Sequence, residues 1–103
     1  MTRHQIFTIA ATLPLLAFIT TPSLAYSGEQ YAKDAKIDLV HARQIALQAR
    51  PGVVTDQELE RERGGSGLRY SFDIKSSGET FEVGIDAKTA RVLENSKEGR
   101  NPD

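Results

Sequence analysis

Apolar positions along this chain follow two different periods. From residue 39 to residue 49 they recur at intervals of three and four. Leu39, Ala42, Ile45, Ala46 and Ala49 share one stripe at 100° per residue, Val40 and Leu47 flank it, and His41, Gln44 and Gln48 lie opposite. The spacing predicts one amphipathic helix of about three turns. Asp38 is placed to cap it, because a carboxylate accepts the free amide hydrogens of a first turn. Pro51 pushes Arg50 out of the helical region, so Pro51-Gly52 ends the helix. Beyond Gly52 the period is two. In residues 53–63, Val53, Thr55, Gln57, Leu59 and Arg61 fall on one face and Val54, Asp56, Glu58, Glu60 and Glu62 on the other. Leu68, Tyr70, Phe72 and Ile74 alternate with Arg69, Ser71, Asp73 and Lys75, and Phe81, Val83 and Ile85 alternate with Glu82 and Gly84. A short fourth strand is expected over residues 91–94.

The connections are short, which predicts an antiparallel meander. The expected fold is α+β: one N-terminal helix packed on one face of a small antiparallel sheet of three to four strands. Tyr70, Phe72 and Phe81 are then core residues beneath the helix. The opposite face stays wet and carries the carboxylates. Gly64-Gly65-Ser66-Gly67 reads as a flexible hairpin tip and Ser76-Ser77-Gly78 as a turn. In Gly84-Ile85-Asp86-Ala87-Lys88-Thr89-Ala90-Arg91, Asp86 is placed to accept turn amides. Ala90 stands where such a turn tends to need positive φ, at a cost on the order of 1 kcal/mol relative to glycine.

The first 25 residues do not fit this domain. Arg3 is their lone cation, residues 6–19 are mostly apolar, and Ser23-Leu24-Ala25 ends the segment with small residues. This is the pattern of a secretory signal peptide cleaved after Ala25, and its apolar core falls short of the roughly 20 residues that span a bilayer. The expected organisation is a signal peptide at 1–25, a flexible lead-in at 26–36, a domain at 37–95 and a disordered tail at 96–103. The product would be periplasmic or secreted, with no stable membrane anchor after cleavage. The whole chain carries a formal charge of −1, so residues 26–103 carry −2. That balance gives no electrostatic case for nucleic acid. The chain has no cysteine, so an exported location brings no disulfide and stability rests on burial.

Candidate chemistry is sparse. His41 is the only histidine after residue 25, and it lacks the second histidine or cysteine that a metal site needs. No Gly-x-Ser-x-Gly elbow surrounds any serine. Residues 64–67 lack the Lys-Ser/Thr and helix of a phosphate loop. No catalytic, cofactor-binding or metal-ligating residue is therefore assigned, and no cofactor is expected. The surface that remains is acidic. Asp56, Glu58, Glu60 and Glu62 line one strand face, with Arg69 and Glu82 on the neighbouring strands. Such a face is ordinarily solvated and tied by cross-strand ion pairs, and it is also the candidate contact for a protein partner.

The stretches IDLVHARQIALQARPG, VVTDQELERE, GLRYSFDIK and ETFEVGIDAKTARVLE, taken together, resemble the PepSY domain family over residues 37–94. Two departures stand out. Ala90 occupies a turn position that is commonly glycine in the family, and residues 57–63 are more charged than a typical first strand. The resemblance implies an exported bacterial module of the kind found in metallopeptidase propeptides, in membrane-attached proteins and as small free-standing proteins. It supplies no catalytic residue. It implies a binding or regulatory role, in trans, on an extracytoplasmic peptidase or other envelope protein. The alternative is a ligand- or ion-sensing accessory of an envelope signalling system. Oligomeric state is left open.

Overall fold

A computed structural model describes residues 25–99, so nearly all of the expected signal peptide and the last residues of the expected tail lie outside it. The chain runs through a 3-10 helix (Glu29–Asp34), helix α1 (Leu39–Ala49) and strands β1 (Val53–Arg61), β2 (Leu68–Ser76), β3 (Glu79–Asp86) and β4 (Val92–Lys97). The strands form one antiparallel sheet in sequence order, and α1 covers one face, giving the α+β architecture read from the sequence. The Asp38 carboxylate accepts a hydrogen bond from the His41 backbone N–H at 2.8 Å, and Arg50 ends the helix in an extended conformation.

The core lies between α1 and the sheet. Leu39, Ala42 and Ala46 of the helix meet Leu59, Leu68, Tyr70, Phe72, Ile74, Val83 and Ile85. The two alanines let the helix backbone come down close to the sheet. Each large apolar side chain buried here contributes on the order of 1.5–3 kcal/mol. The Tyr70 hydroxyl donates to the Ile37 carbonyl at 2.9 Å, and burial pushes its pKa up to about 12. At the other end of α1, Asn95 donates to the Ala49 carbonyl and accepts from Arg50 Nε, while the Arg50 guanidinium lies 3.8 Å from the Phe81 ring centroid. Helix and last strand are thereby tied together.

The structure corrects the strict alternation in two places. Val54 pairs with Ile74 and Asp56 with Asp73, so Thr55 is the extra residue of a β-bulge. Val54 therefore packs against the core, and Val53, expected on the face of Leu59, is 67% exposed. A second irregularity, between the partners of Gly84 and Ile85, takes up Leu93. β1 stops at Arg61 rather than residue 63. β4 runs to Lys97, past the residue-95 boundary expected for the domain, and Glu98 N–H still bonds the Thr80 carbonyl.

Residues 26–36, expected as a flexible lead-in, pack along β1. Ser27 bridges Glu58 in parallel, and its carbonyl accepts from Leu59 N–H at 2.8 Å. The Tyr26 ring lies 6.4 Å from that of Tyr70, and Asp34 pairs with Arg61 at 3.0 Å. Gly28 permits the close approach: it has φ of 89°, and a Cβ there would collide with the Leu59 carbonyl.

The glycine-rich stretch at 64–67, expected as a loose tip, is held by Asp86. That carboxylate accepts from Ser66 N–H and Oγ, both at 2.7 Å, and from the Lys88 and Thr89 amides at 2.8 and 3.1 Å. Burial alone would raise its pKa. The hydrogen bonds from Ser66, Lys88 and Thr89 outweigh that and hold it down at about 2. Ala90 closes the turn at φ of 67°, in the left-handed region.

Two predictions follow from this corner. Ala90→Gly should stabilise the domain by roughly 0.5–1 kcal/mol, the relief of the left-handed alanine less the added chain entropy, seen as a melting temperature a few degrees higher. Asp86→Asn should cost about 3 kcal/mol, because its amide cannot accept all of these donors. Asp86 has a folded pKa of about 2, below the ordinary 3.8, so its contribution is complete above pH 4 and is lost as the pH falls toward 2. Urea unfolding between pH 2 and 5 should show that acid limb weakened in the variant.

Candidate partner-binding surface

The face of the sheet away from α1 is ordered by register. One row across it reads Asp56, Asp73, Glu82 and Ser96. The next reads Glu58, Ser71, Gly84 and Glu94. The third begins with Glu60 and Arg69. All the residues singled out from the sequence sit on or beside this face. Asp56, Glu58 and Glu60 lie on β1, Arg69 on β2 and Glu82 on β3, with Glu62 just past the end of β1. The structure adds Asp73 and Glu94, which the sequence reading did not select. Glu94 was missed because the irregularity at Leu93 shifts β4, so simple alternation did not show which carboxylates it would join.

Arg69 is the centre of this surface and is only 6% exposed. Its side chain lies over Gly84, where a Cβ would sit 3.1 Å from Nη1. Nη1 donates to Glu94 at 3.3 Å and Nη2 to the Arg63 carbonyl at 2.9 Å, while Nε lies 3.8 Å from Glu62 and has no hydrogen-bond partner. Glu60, the register partner of Arg69 on β1, accepts instead from Ser71 Oγ at 2.8 Å. Lys75 has Val53 and Thr80 as its register neighbours.

One buried guanidinium cannot neutralise the carboxylates around it, and the pKa values of three of them, Glu82, Asp73 and Glu62, are raised. Burial, followed by the charge of Glu94 and a hydrogen bond with it, pushes Glu82 up to about 7, and Asp73 and Glu62 add to the shift. Burial also raises Asp73, with the charges of Glu98 and Asp56 adding to it. Glu62 is raised first by its hydrogen bond with Glu60, then by burial, while Arg69 pulls the other way. The surface thus holds negative charge at close spacing and gains from any cation brought against it.

Among the described residues, no group of three or more His, Cys, Asp or Glu side chains is arranged to hold a metal ion. His41 is exposed on α1, Ser71 lies on the opposite face of the sheet and Ser66 in the loop after β1, and the two hydroxyls are given to Glu60 and Asp86. Among the described residues, these side chains therefore do not come together as a nucleophile and base. No helix among the described residues is long and apolar enough to cross a membrane.

Glu82 has a folded pKa above its ordinary 4.5, so the native state holds an extra proton between about pH 4.5 and 7. Its contribution to stability is present below that window and is lost as the pH rises through it. Glu82→Gln should flatten this limb in denaturation curves taken from pH 4 to 8 and leave the variant more stable than the parent at pH 8. An unchanged pH profile would place the extra proton elsewhere.

Comparison with known proteins bears on the same span. The family model described as peptidase propeptide and YPEB domain, PepSY, matches residues 36–95, more than half of the chain. Neither a curated protein nor a solved structure matches it.

Proposed function

The chain belongs to the PepSY family, and on that premise we propose that it is an exported, non-catalytic module that binds and regulates an extracytoplasmic peptidase or another envelope protein. The family match carries this reading, since the matched span coincides with the domain that presents the acidic face. PepSY modules are peptidase-propeptide-like or regulatory, and a compact domain with a charged, half-buried sheet face suits contact with a separate protein. The apolar leader with Ser23-Leu24-Ala25 at its end supports export to the periplasm or beyond. The candidate contact comprises Asp56, Glu58, Glu60, Glu62, Arg69 and Glu82, joined by Asp73 and Glu94.

A second reading, an ion- or ligand-sensing accessory of an envelope signalling system, draws on the raised Glu82 carboxyl beside Glu94. The two readings part in one pair of measurements. Tagged protein captured from an envelope extract should enrich a peptidase, and excess protein should slow or redirect that peptidase. Stabilisation by calcium or another small solute in a thermal-shift series, with no protein enriched, would favour the sensor instead.

A further inference from the structure

We propose that the free edge of β4 is where the partner docks, by pairing an extended segment that alternates Lys or Arg with apolar residues. This rests on the binding-module reading and specifies the partner's chemistry. A sheet has two edges, and here they are treated differently. The β1 edge is occupied by the chain's own N-terminal segment, through the Ser27–Glu58 bridge, the Leu59–Ser27 hydrogen bond and the Arg61–Asp34 ion pair. Among the described residues, β4 pairs with β3 alone. An unpaired edge presents a row of backbone donors and acceptors to any strand that can lie beside it.

The phase of that edge can be read. Glu98 N–H bonds Thr80 across the sheet, so Ser96 and Glu94, at two-residue steps, also turn their backbone groups toward β3. Asn95 and Lys97 then direct theirs outward. Side chains alternate in the same way. Glu94 and Ser96 share the acidic face with Gly84 and Glu82, whereas Val92, 45% exposed, lies on the helix side beside Ile85. A strand laid along β4 would set one set of its side chains next to Glu94 and Ser96, within reach of Glu82, and the other set next to Asn95, Lys97 and, past the irregularity at Leu93, Val92. Cations suit the first set; uncharged groups such as valine suit the second, where a further cation would face Lys97. Lys97, the residue that would most hinder such pairing, is drawn back to Glu79 at 2.9 Å.

A second copy is the poorer occupant. Two β4 strands paired about a twofold axis perpendicular to the sheet would place both acidic faces on the same side, bringing the Glu82–Glu94 pairs of the two copies together. A basic segment reverses the sign of that interaction.

Synthetic peptides of six residues, the length of β4, test this with isotope-labelled protein purified from cells. A peptide alternating Lys and Val should shift the Asn95 and Lys97 amide resonances and slow their exchange with solvent. A Glu-Val peptide should bind at least about tenfold more weakly, and the Glu82→Gln/Glu94→Gln protein should weaken Lys-Val binding by a similar factor. Lys97→Pro removes an outward N–H without a ladder bond to β3, so the fold should persist while docking is lost. The proposal is overturned if neither peptide binds, if Lys97→Pro binds as the parent does, or if the shifts map to β1. It is also overturned if the protein forms a dimer that Lys97→Pro abolishes. A peptidase captured equally by parent and Lys97→Pro would sink the edge while leaving the binding-module reading intact. Peptide docking with no captured protein would do the reverse.

Discussion

The buried carboxylate of Asp86 is the constraint on which the rest of this small domain depends. It is 1% exposed, yet it is charged, because four hydrogen bonds replace the water it has lost. Its donors come from two separate places in the chain, the loop after β1 and the turn after β3. The interaction therefore fixes the position of one end of the sheet. The next residue extends the same corner. Ala87 N–H donates to the Leu68 carbonyl, and Ala87 C=O accepts from Lys36 and Ile37. Those two residues lead directly into the cap of α1. The turn that starts β4 thus also sets where the helix begins, and with it which residues of α1 meet Tyr70 and Phe72. In a chain with no cysteine, this polar corner does work that a cross-link performs in many exported domains of this size.

The same end of the sheet explains the charge pattern on the outer face. Arg69 lies next to this corner in register with Asp86, but the Asp86 oxygens are taken by Ser66, Lys88 and Thr89. The guanidinium turns instead across Gly84 to Glu94 and the Arg63 carbonyl. Glycine at position 84 leaves room for that path, since a Cβ there would sit 3.1 Å from Arg69 Nη1 and the guanidinium would have to give by a few tenths of an ångström. One cation is spread over several carboxylates, and burial together with the neighbouring charge of Glu94 raises Glu82. Among the described residues, Arg69 is the buried cation of this surface, held by Glu94 and the Arg63 carbonyl.

Much of this was legible in the sequence. The capped helix, its stop at Pro51, the aromatic strand and the Asp86 turn each rest on a local rule, namely period, capping or turn chemistry, and local rules survive folding. Even Ala90 was readable as a left-handed residue, because the turn leaves few other conformations. What was not legible depended on distant parts of the chain. Thr55 is not marked as a bulge by anything in Val53-Val54-Thr55-Asp56; the bulge arises because Ile74 and Asp73 on β2 fix the register on either side. Glu94 joins the acidic face only through a second irregularity. The lead-in at 26–36 looked aperiodic because its attachments are made by backbone, two aromatic rings and one glycine, none of which produces a repeating pattern.

That N-terminal segment also changes how the sheet should be understood. Four strands with two exposed edges would be prone to pair with copies of themselves. The segment at 26–36 removes one edge, and on the other the acidic face makes self-pairing electrostatically unfavourable without covering the backbone. On the proposed docking, one edge is left to a basic segment while pairing with another molecule of the same chain is disfavoured. The charge that does this belongs to Glu82 and Glu94, beside β4; the high charge of residues 57–63, read from the sequence as a departure from the family pattern, lies at the opposite edge of the sheet, where Arg61 pairs with Asp34 of the N-terminal segment.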